Sequence, residues 1–237
     1  MAFAGGAAYR VGMRLESLNI GRVRPNPWDP RVESTGIDKR PVAGPVWASA
    51  PGPKGTGAVG LAGDRVYDVD HHGGDDQAVY AYAAEDLEFW SGRLDRELRP
   101  GGFGENFTTR GVDWNGALVG ERWRVGGEAV FEVSCPRIPC ATFRGWIGVK
   151  GWLRDFTVEA RTGTYLRVVE PGHVSPGDPI TVEFRPDHDV TITTMFKALT
   201  TDRPLLPRLL AAERYLPVKV AELARDHRPE RLSPRPA

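Results

Sequence analysis

Between Arg14 and Phe184 the chain alternates apolar and polar residues in short bursts. The bursts are Arg14-Leu15-Glu16-Ser17-Leu18-Asn19-Ile20-Gly21, Ala78-Val79-Tyr80-Ala81-Tyr82-Ala83, Trp123-Arg124-Val125, Ala129 to Val133, Thr164 to Val169 and Ile180 to Phe184. A period of two sends successive side chains to opposite faces, so each burst predicts a strand. Gly126-Gly127, Pro171-Gly172 and Pro176-Gly177-Asp178 punctuate them as turns. One stretch has a helical period instead. Leu87, Trp90, Leu94 and Leu98 fall three or four residues apart, predicting a helix over Glu85 to Leu98 that Pro100-Gly101-Gly102 stops. Many short strands with regular turns and one clear helix predict a mainly β fold with some α, a closed or nearly closed barrel.

The grammar changes after Pro186. Thr191 to Leu199, Pro204 to Glu213 and Val218 to Arg225 each predict a short helix. Helices of this length are marginal alone, so they should pack on one another or on the barrel. The predicted organisation is a disordered extension over 1–12, with Met13 as a candidate start, then the barrel over 13–186. A three-helix segment over 187–228 and a disordered, proline-bearing tail over 229–237 complete it. Thr35 to Val42 is expected to be a loop carrying the adjacent cations Lys39 and Arg40.

Charge narrows the function classes. With 31 basic and 31 acidic residues the formal net charge is zero, which removes any global electrostatic case for nucleic acid or an anionic membrane. No run of apolar residues is long enough to span a bilayer, and no basic start precedes an apolar core, so a cytoplasmic protein is expected. The two cysteines, Cys135 and Cys140, stand too close in sequence to staple a fold.

Candidate chemistry centres on Pro136-Arg137-Ile138-Pro139-Cys140, just beyond the Ala129 to Val133 strand. A thiol at a strand end with an arginine three residues before it is a soft ligand or nucleophile, and nearby positive charge favours its thiolate. The competing reading is a small buried hydrophobe, and for Cys135 a strand-end residue. A second concentration lies at Gly63-Asp64, Asp68 and His71-His72-Gly73-Gly74-Asp75-Asp76. It fits no standard zinc or calcium spacing, and its glycines suit backbone amides brought close to an anion. A turn-rich hairpin with solvated acids is the alternative. Glu105 and Asn106, set among apolar residues in Phe103-Gly104-Glu105-Asn106-Phe107, either brace a turn or face a ligand.

In order along the chain, Thr35-Gly36-Ile37 with Lys39, Gly63-Asp64, His72-Gly73-Gly74, Phe103-Gly104-Glu105-Asn106, Pro136-Arg137-Ile138-Pro139-Cys140 and Tyr165-Leu166-Arg167-Val168 resemble the MOSC domain family, in its YiiM-like branch. The resemblance implies a MOSC-type β-barrel with a small C-terminal three-helix segment. It implies binding of the molybdenum cofactor, a molybdopterin, with Cys140 as metal ligand and catalytic residue. Lys39, Arg40, Arg137 and Arg167 become candidates for the cofactor phosphate, and Asp64, His72, Gly73, Gly74, Glu105 and Asn106 for further cofactor contacts. The implied activity is reduction of N-hydroxylated compounds, such as hydroxylamino base analogues, with electrons from a separate reductase. A non-catalytic cofactor carrier and sulfur transfer through a Cys140 persulfide are the alternatives. Neither nucleic acid nor membrane is expected as a partner, and the protein is expected as a monomer or homodimer. Two positions depart from the family pattern: Gln77 stands where a lysine is usual, and Arg65-Val66-Tyr67 replaces the usual residues after Gly63-Asp64.

Overall fold

The computed structural model describes residues 12–227. The expectations for 1–12 and 229–237 lie, apart from Gly12, outside those residues. Ten strands are β1 (Arg14–Pro25), β2 (Ser34–Pro41), β3 (Val46–Ala48), β4 (Val79–Ala83), β5 (Phe107–Arg110), β6 (Arg122–Val125), β7 (Ala129–Pro136), β8 (Thr164–Glu170), β9 (Gly172–Val174) and β10 (Ile180–Phe184). Five α-helices accompany them among the described residues: α1 (Ala84–Leu94), α2 (Ala141–Ile147), α3 (Trp152–Glu159), α4 (Ile192–Leu199) and α5 (Val218–Asp226).

Eight strands form one sheet in the order β10-β6-β7-β8-β4-β5-β1-β2, while β3 and β9 pair separately. The large sheet is antiparallel except where β4 and β5 run parallel, joined by the crossover through α1. The expected closed barrel is therefore corrected to an open, curled sheet in a mixed α/β fold. The edges β10 and β2 do not pair with each other. Curling brings the start of β1 to the start of β10 and the turn before it: the Ile180 amide donates to the Met13 carbonyl at 2.9 Å beside an isolated Arg14–Pro179 bridge. The contact continues through Leu15, whose amide donates to the Asp178 carbonyl at 2.8 Å and whose carbonyl accepts from the Gly177 amide at 2.7 Å, and it ends where the register shifts between Leu15 and Ser17.

Local structure also departs from the sequence pattern at three places. Thr35 to Val42 is mostly strand, because β2 pairs with β1 through Gly21–Lys39 and Arg22–Asp38. Its charged residues hid the alternation, since Lys39 is buried despite its charge. The aromatic stretch beyond Cys140 is helical: Phe143 and Ile147 on α2, and Trp152 and Phe156 on α3, are buried at four-residue spacing. The α1 helix ends at Leu94, short of the expected Leu98, because Asp95 takes a left-handed conformation at φ 46°.

Burial divides into two clusters. One lies within the sheet, joining Leu15, Phe107, Phe131 and Leu166 to Leu206 and Leu209 from the C-terminal region. The other is aromatic and packs Tyr80, Tyr82, Trp90, Phe103, Phe143, Trp152 and Phe156 between the sheet and α1 to α3. Of the expected C-terminal helices, α4 and α5 are α-helical, but Arg203–Tyr215 is a 3-10 segment interrupted by Pro207 and a non-helical Ala212. Proline removes an amide that a continuous α-helix would need.

Candidate functional site

The chain connections around β2, β4 and β7 converge on a solvent-open cleft lined by both polar and apolar side chains. Cys140 opens onto it from the residue preceding α2, half-buried and reduced. Seven of the sequence-derived candidates line it: Lys39, Asp64, His72, Gly73, Asn106, Arg137 and Cys140. They come from segments up to a hundred residues apart, so the tertiary fold assembles the set.

Lys39 and Asp64 form the floor. Both are buried, at 7% and 5% exposure, and the Lys39 ammonium donates to both Asp64 oxygens at 2.7 Å. Asp64 also accepts from the Gly21 amide and the Asn106 side chain, each at 2.8 Å. Desolvation pushes its carboxyl up, but Lys39 and these donors hold it below the ordinary carboxylate value. Asn106 is fully engaged, since its amide nitrogen also donates to the Asn19 carbonyl and its oxygen accepts from the Tyr80 amide. A Cβ on Gly36 would come 2.5 Å from the Arg65 carbonyl. That close approach explains a glycine beside the floor.

Arg137 differs from the other cations. Its side chain is buried at 6% exposure, donates to the Phe103 carbonyl and lies 3.8 Å from the Phe143 ring centroid and 5.0 Å from that of Tyr80. Among the described residues it has no carboxylate partner, whereas Lys39, Arg40 and Arg167 all do. The aromatic faces compensate part of its desolvation. Its charge still faces the cleft without a counter-ion.

His72 lines the cleft, while His71 points away and pairs with Asp68 at 2.8 Å. Burial pushes the His72 imidazole down to about 4, with Arg137 adding to the effect, so the ring is neutral at pH 7. Gly73 and Gly74 carry φ of 81° and 74°, the left-handed conformations that glycine supplies without strain. Gln77 also lines the cleft and accepts from the Lys54 ammonium at 3.4 Å. A lysine from another loop thus stands beside the position where the family pattern has one.

Four candidates fall outside the lining. Arg40 lies on the opposite face of β2 against Asp38. Arg167 is tied to Asp76 and Glu132. Glu105 is a buried brace, accepting from the Gly101 and Phe103 amides and the Thr108 hydroxyl. Gly74 packs against the Lys54 backbone. Cys135 is buried outside the cleft, its thiol pushed up to about 11 by desolvation and donating to the Asp76 carbonyl at 3.7 Å. Sequence reasoning missed Arg65 and Tyr165, both cleft residues. Tyr165 packs on Tyr80 with centroids 5.1 Å apart and ring planes tilted by 37°, and burial pushes its phenol up to about 12. The β8 alternation carried a signal for it, but the arginine two residues on drew the attention.

A curled mixed sheet with a Cys-bearing cleft beneath its connections defines the class. The MOSC domain pattern matches residues 68–181. The chain is 35% identical over 176 residues to the uncharacterized protein YflK of Bacillus subtilis, covering 74% of this chain and 76% of that one. It is 30% identical over 139 residues to protein YiiM of Escherichia coli, 56% of this chain and 60% of that protein. A protein of Gibberella moniliformis named "Reductase" is 27% identical over 177 residues, and the match spans only 29% of its length. In three dimensions the chain superposes on the crystal structure of YiiM from Geobacillus stearothermophilus with TM-score 0.71 at 25% identity, covering 90% of this chain and 97% of that one. The chain belongs to the MOSC domain family, and its fold is YiiM-like. Among the described residues no helix is long and apolar enough to cross a membrane.

Proposed function

We propose that the protein is a cytoplasmic, molybdenum-cofactor-dependent oxidoreductase that reduces N-hydroxylated compounds with electrons from a separate reductase. The observation that carries this reading is the pairing, in one cleft, of half-buried Cys140 with Arg137, a buried cation that has no carboxylate partner among the described residues. Among the described residues no group of three or more His, Cys, Asp or Glu side chains converges to hold a bare metal ion. A single thiolate suits a metal that brings its own ligands, as the dithiolene of this cofactor does. The Gibberella moniliformis relative, a longer protein named "Reductase", adds support from its name.

In this reading Cys140 holds the metal and Arg137 receives the cofactor's anionic group. Arg65, exposed at the rim, supplies a second cation, whereas Lys39, Arg40 and Arg167 are committed elsewhere. When bound there, the cofactor would supply two-electron redox chemistry for cleavage of the N–O bond. The balance is R–NHOH plus two electrons and two protons giving R–NH2 and water. Tyr165 keeps its proton at neutral pH and is able to donate a hydrogen bond to a substrate, while neutral His72 can accept or donate one without adding charge. Ile37, Val66 and Tyr80 give the cleft an apolar wall against which a substrate's carbon frame can pack.

The test is molybdenum by elemental analysis and oxidised-pterin fluorescence, on native protein, Cys140→Ser and Arg137→Ala purified from a host that makes the cofactor. Near-stoichiometric metal in native protein, lost in Cys140→Ser, is expected. Pterin content falls by at least about tenfold in Arg137→Ala, the loss for one charge-assisted contact. Native protein without metal or pterin overturns the reading.

A further inference from the structure

We propose that the outer face of β1 and β2, where Arg22, Arg24, Arg40 and Arg99 surround the single carboxylate of Asp38, is a docking surface for an acidic electron-donating protein. The inference rests on the reductase reading above and names the partner's chemistry.

Strand register builds the face. Arg22 lies directly opposite Asp38, and Ile20 opposite Arg40, in the antiparallel β1–β2 pair, and directly opposed residues share a face. Asp38 accepts from Arg24 at 2.6 Å, from Arg40 at 2.7 Å and from Arg99, arriving from the loop after α1, at 2.8 Å. The carboxylate is 1% exposed, but the three guanidinium side chains remain 51%, 37% and 32% exposed. One arginine would neutralise Asp38. The others add positive charge beyond what Asp38 needs, and partial burial, with the Arg40 charge adding to it, lowers the proton affinity of Arg99.

Elsewhere the stoichiometry runs the other way. Arg110 is shared among Glu16, Glu85 and Glu88, and Arg124 between Glu170 and Glu183. In a chain of zero formal charge, the surplus around Asp38 is a local feature. Arg22, Arg24 and Arg40 line no part of the Cys140 cleft and are spread along two strands, an arrangement that meets an extended acidic surface better than one small anion. Position completes the argument. Ile37 and Lys39 on the same strand line the cleft, so a partner seated on the outer face lies one strand away from it. Each turnover draws two electrons, one from each of two reduced one-electron partners that dock in succession and leave oxidised, and two protons from water, with the N–O bond broken and water released.

The probe is an acidic [2Fe–2S] ferredoxin, titrated into holoprotein at about 10 mM and about 150 mM salt, between which the screening length falls from about 30 Å to about 8 Å. Wild type is expected to bind measurably tighter at low salt. Arg22→Glu/Arg24→Glu should weaken binding by at least about tenfold and flatten the salt dependence. Arg22→Gln/Arg24→Gln should do so less, which guards against misfolding of the charge-reversed variant. Lys219→Glu, on the exposed face of α5, should leave binding unchanged. With methyl viologen as donor to an amidoxime substrate, wild type and Arg22→Glu/Arg24→Glu should turn over equally. Equal ferredoxin binding by wild type and charge-reversed protein at low salt overturns the docking surface. Charge-dependent binding with no viologen-driven turnover in wild type overturns the reductase reading and retains the face as an acidic-protein site.

Discussion

The two faces of β2 carry the same chemistry in opposite proportions. On the inner face one ammonium meets one carboxylate, Lys39 with Asp64, both out of water and with further donors filling the remaining oxygen positions. On the outer face one carboxylate is shared by several half-exposed guanidiniums. Inside, an unmatched charge costs several kcal/mol, so the stoichiometry closes. Outside, water screens the surplus and a surplus can persist. The difference teaches that a cation read from sequence becomes a site only when its partner count is known. Arg137 is the instructive exception, buried like Lys39 yet unmatched like the outer arginines.

Breaking the inner pair should therefore have the largest effect. Asp64→Ala leaves the Lys39 ammonium buried and unpaired and should cost about 3–5 kcal/mol in denaturant unfolding, whereas Lys39→Met/Asp64→Leu should recover much of that loss. Such recovery would show that the pair secures the floor's geometry more than its stability. The pH dependence follows the same pair. Asp64 has a folded-state pKa below its ordinary value of 3.8, so its stabilisation is present above that value and lost as pH falls through the depressed one. Asp64→Asn should flatten the acid limb of a stability profile.

Smaller effects sharpen the contrast. Arg137→Lys keeps the charge but loses the planar contact with Phe143 and Tyr80, and should cost about 1–2 kcal/mol by thermal unfolding. Arg24→Ala on the outer face should cost under about 1 kcal/mol, because its ion pair is half in water. The smallest signal is spectroscopic. The His72 ring proton resonances should titrate with a midpoint near 4 rather than 6.5. Because that folded-state value lies below the unfolded one, His72 contributes stability above about pH 6.5 that declines as pH falls toward 4. A midpoint near 6.5 would show that the cleft is wetter at His72 than the packing indicates.

Legibility in the sequence followed how local each feature is. The strand bursts near β1, β6, β8 and β10 were readable because period-two alternation survives where one face is buried, whereas β4 and β7, buried along their whole length, were readable as short apolar runs bounded by turns. Lys39 in β2 defeated the same rule, since a lysine at an inward position looks solvated until Asp64 appears 25 residues later. Phe143, Ile147, Trp152 and Phe156 were visible as aromatic and apolar residues but not as helices, because α2 and α3 are each too short to display a period twice. Within the site, the ordered motifs brought Lys39, Asp64, His72, Gly73, Asn106, Arg137 and Cys140 to one cleft, and misplaced Arg40 and Arg167 because charge type is visible in sequence and pairing is not.

By itself, then, the sequence determined which segments alternate, where turns interrupt them, and which thiol, imidazole and cations were available, because these depend on neighbours within a few residues. Only the tertiary structure decided that the sheet curls without closing, that Asp64 consumes Lys39, and that Arg137 is left facing the cleft. Those outcomes depend on desolvation and on partners far apart in the chain, which are properties of the packed fold.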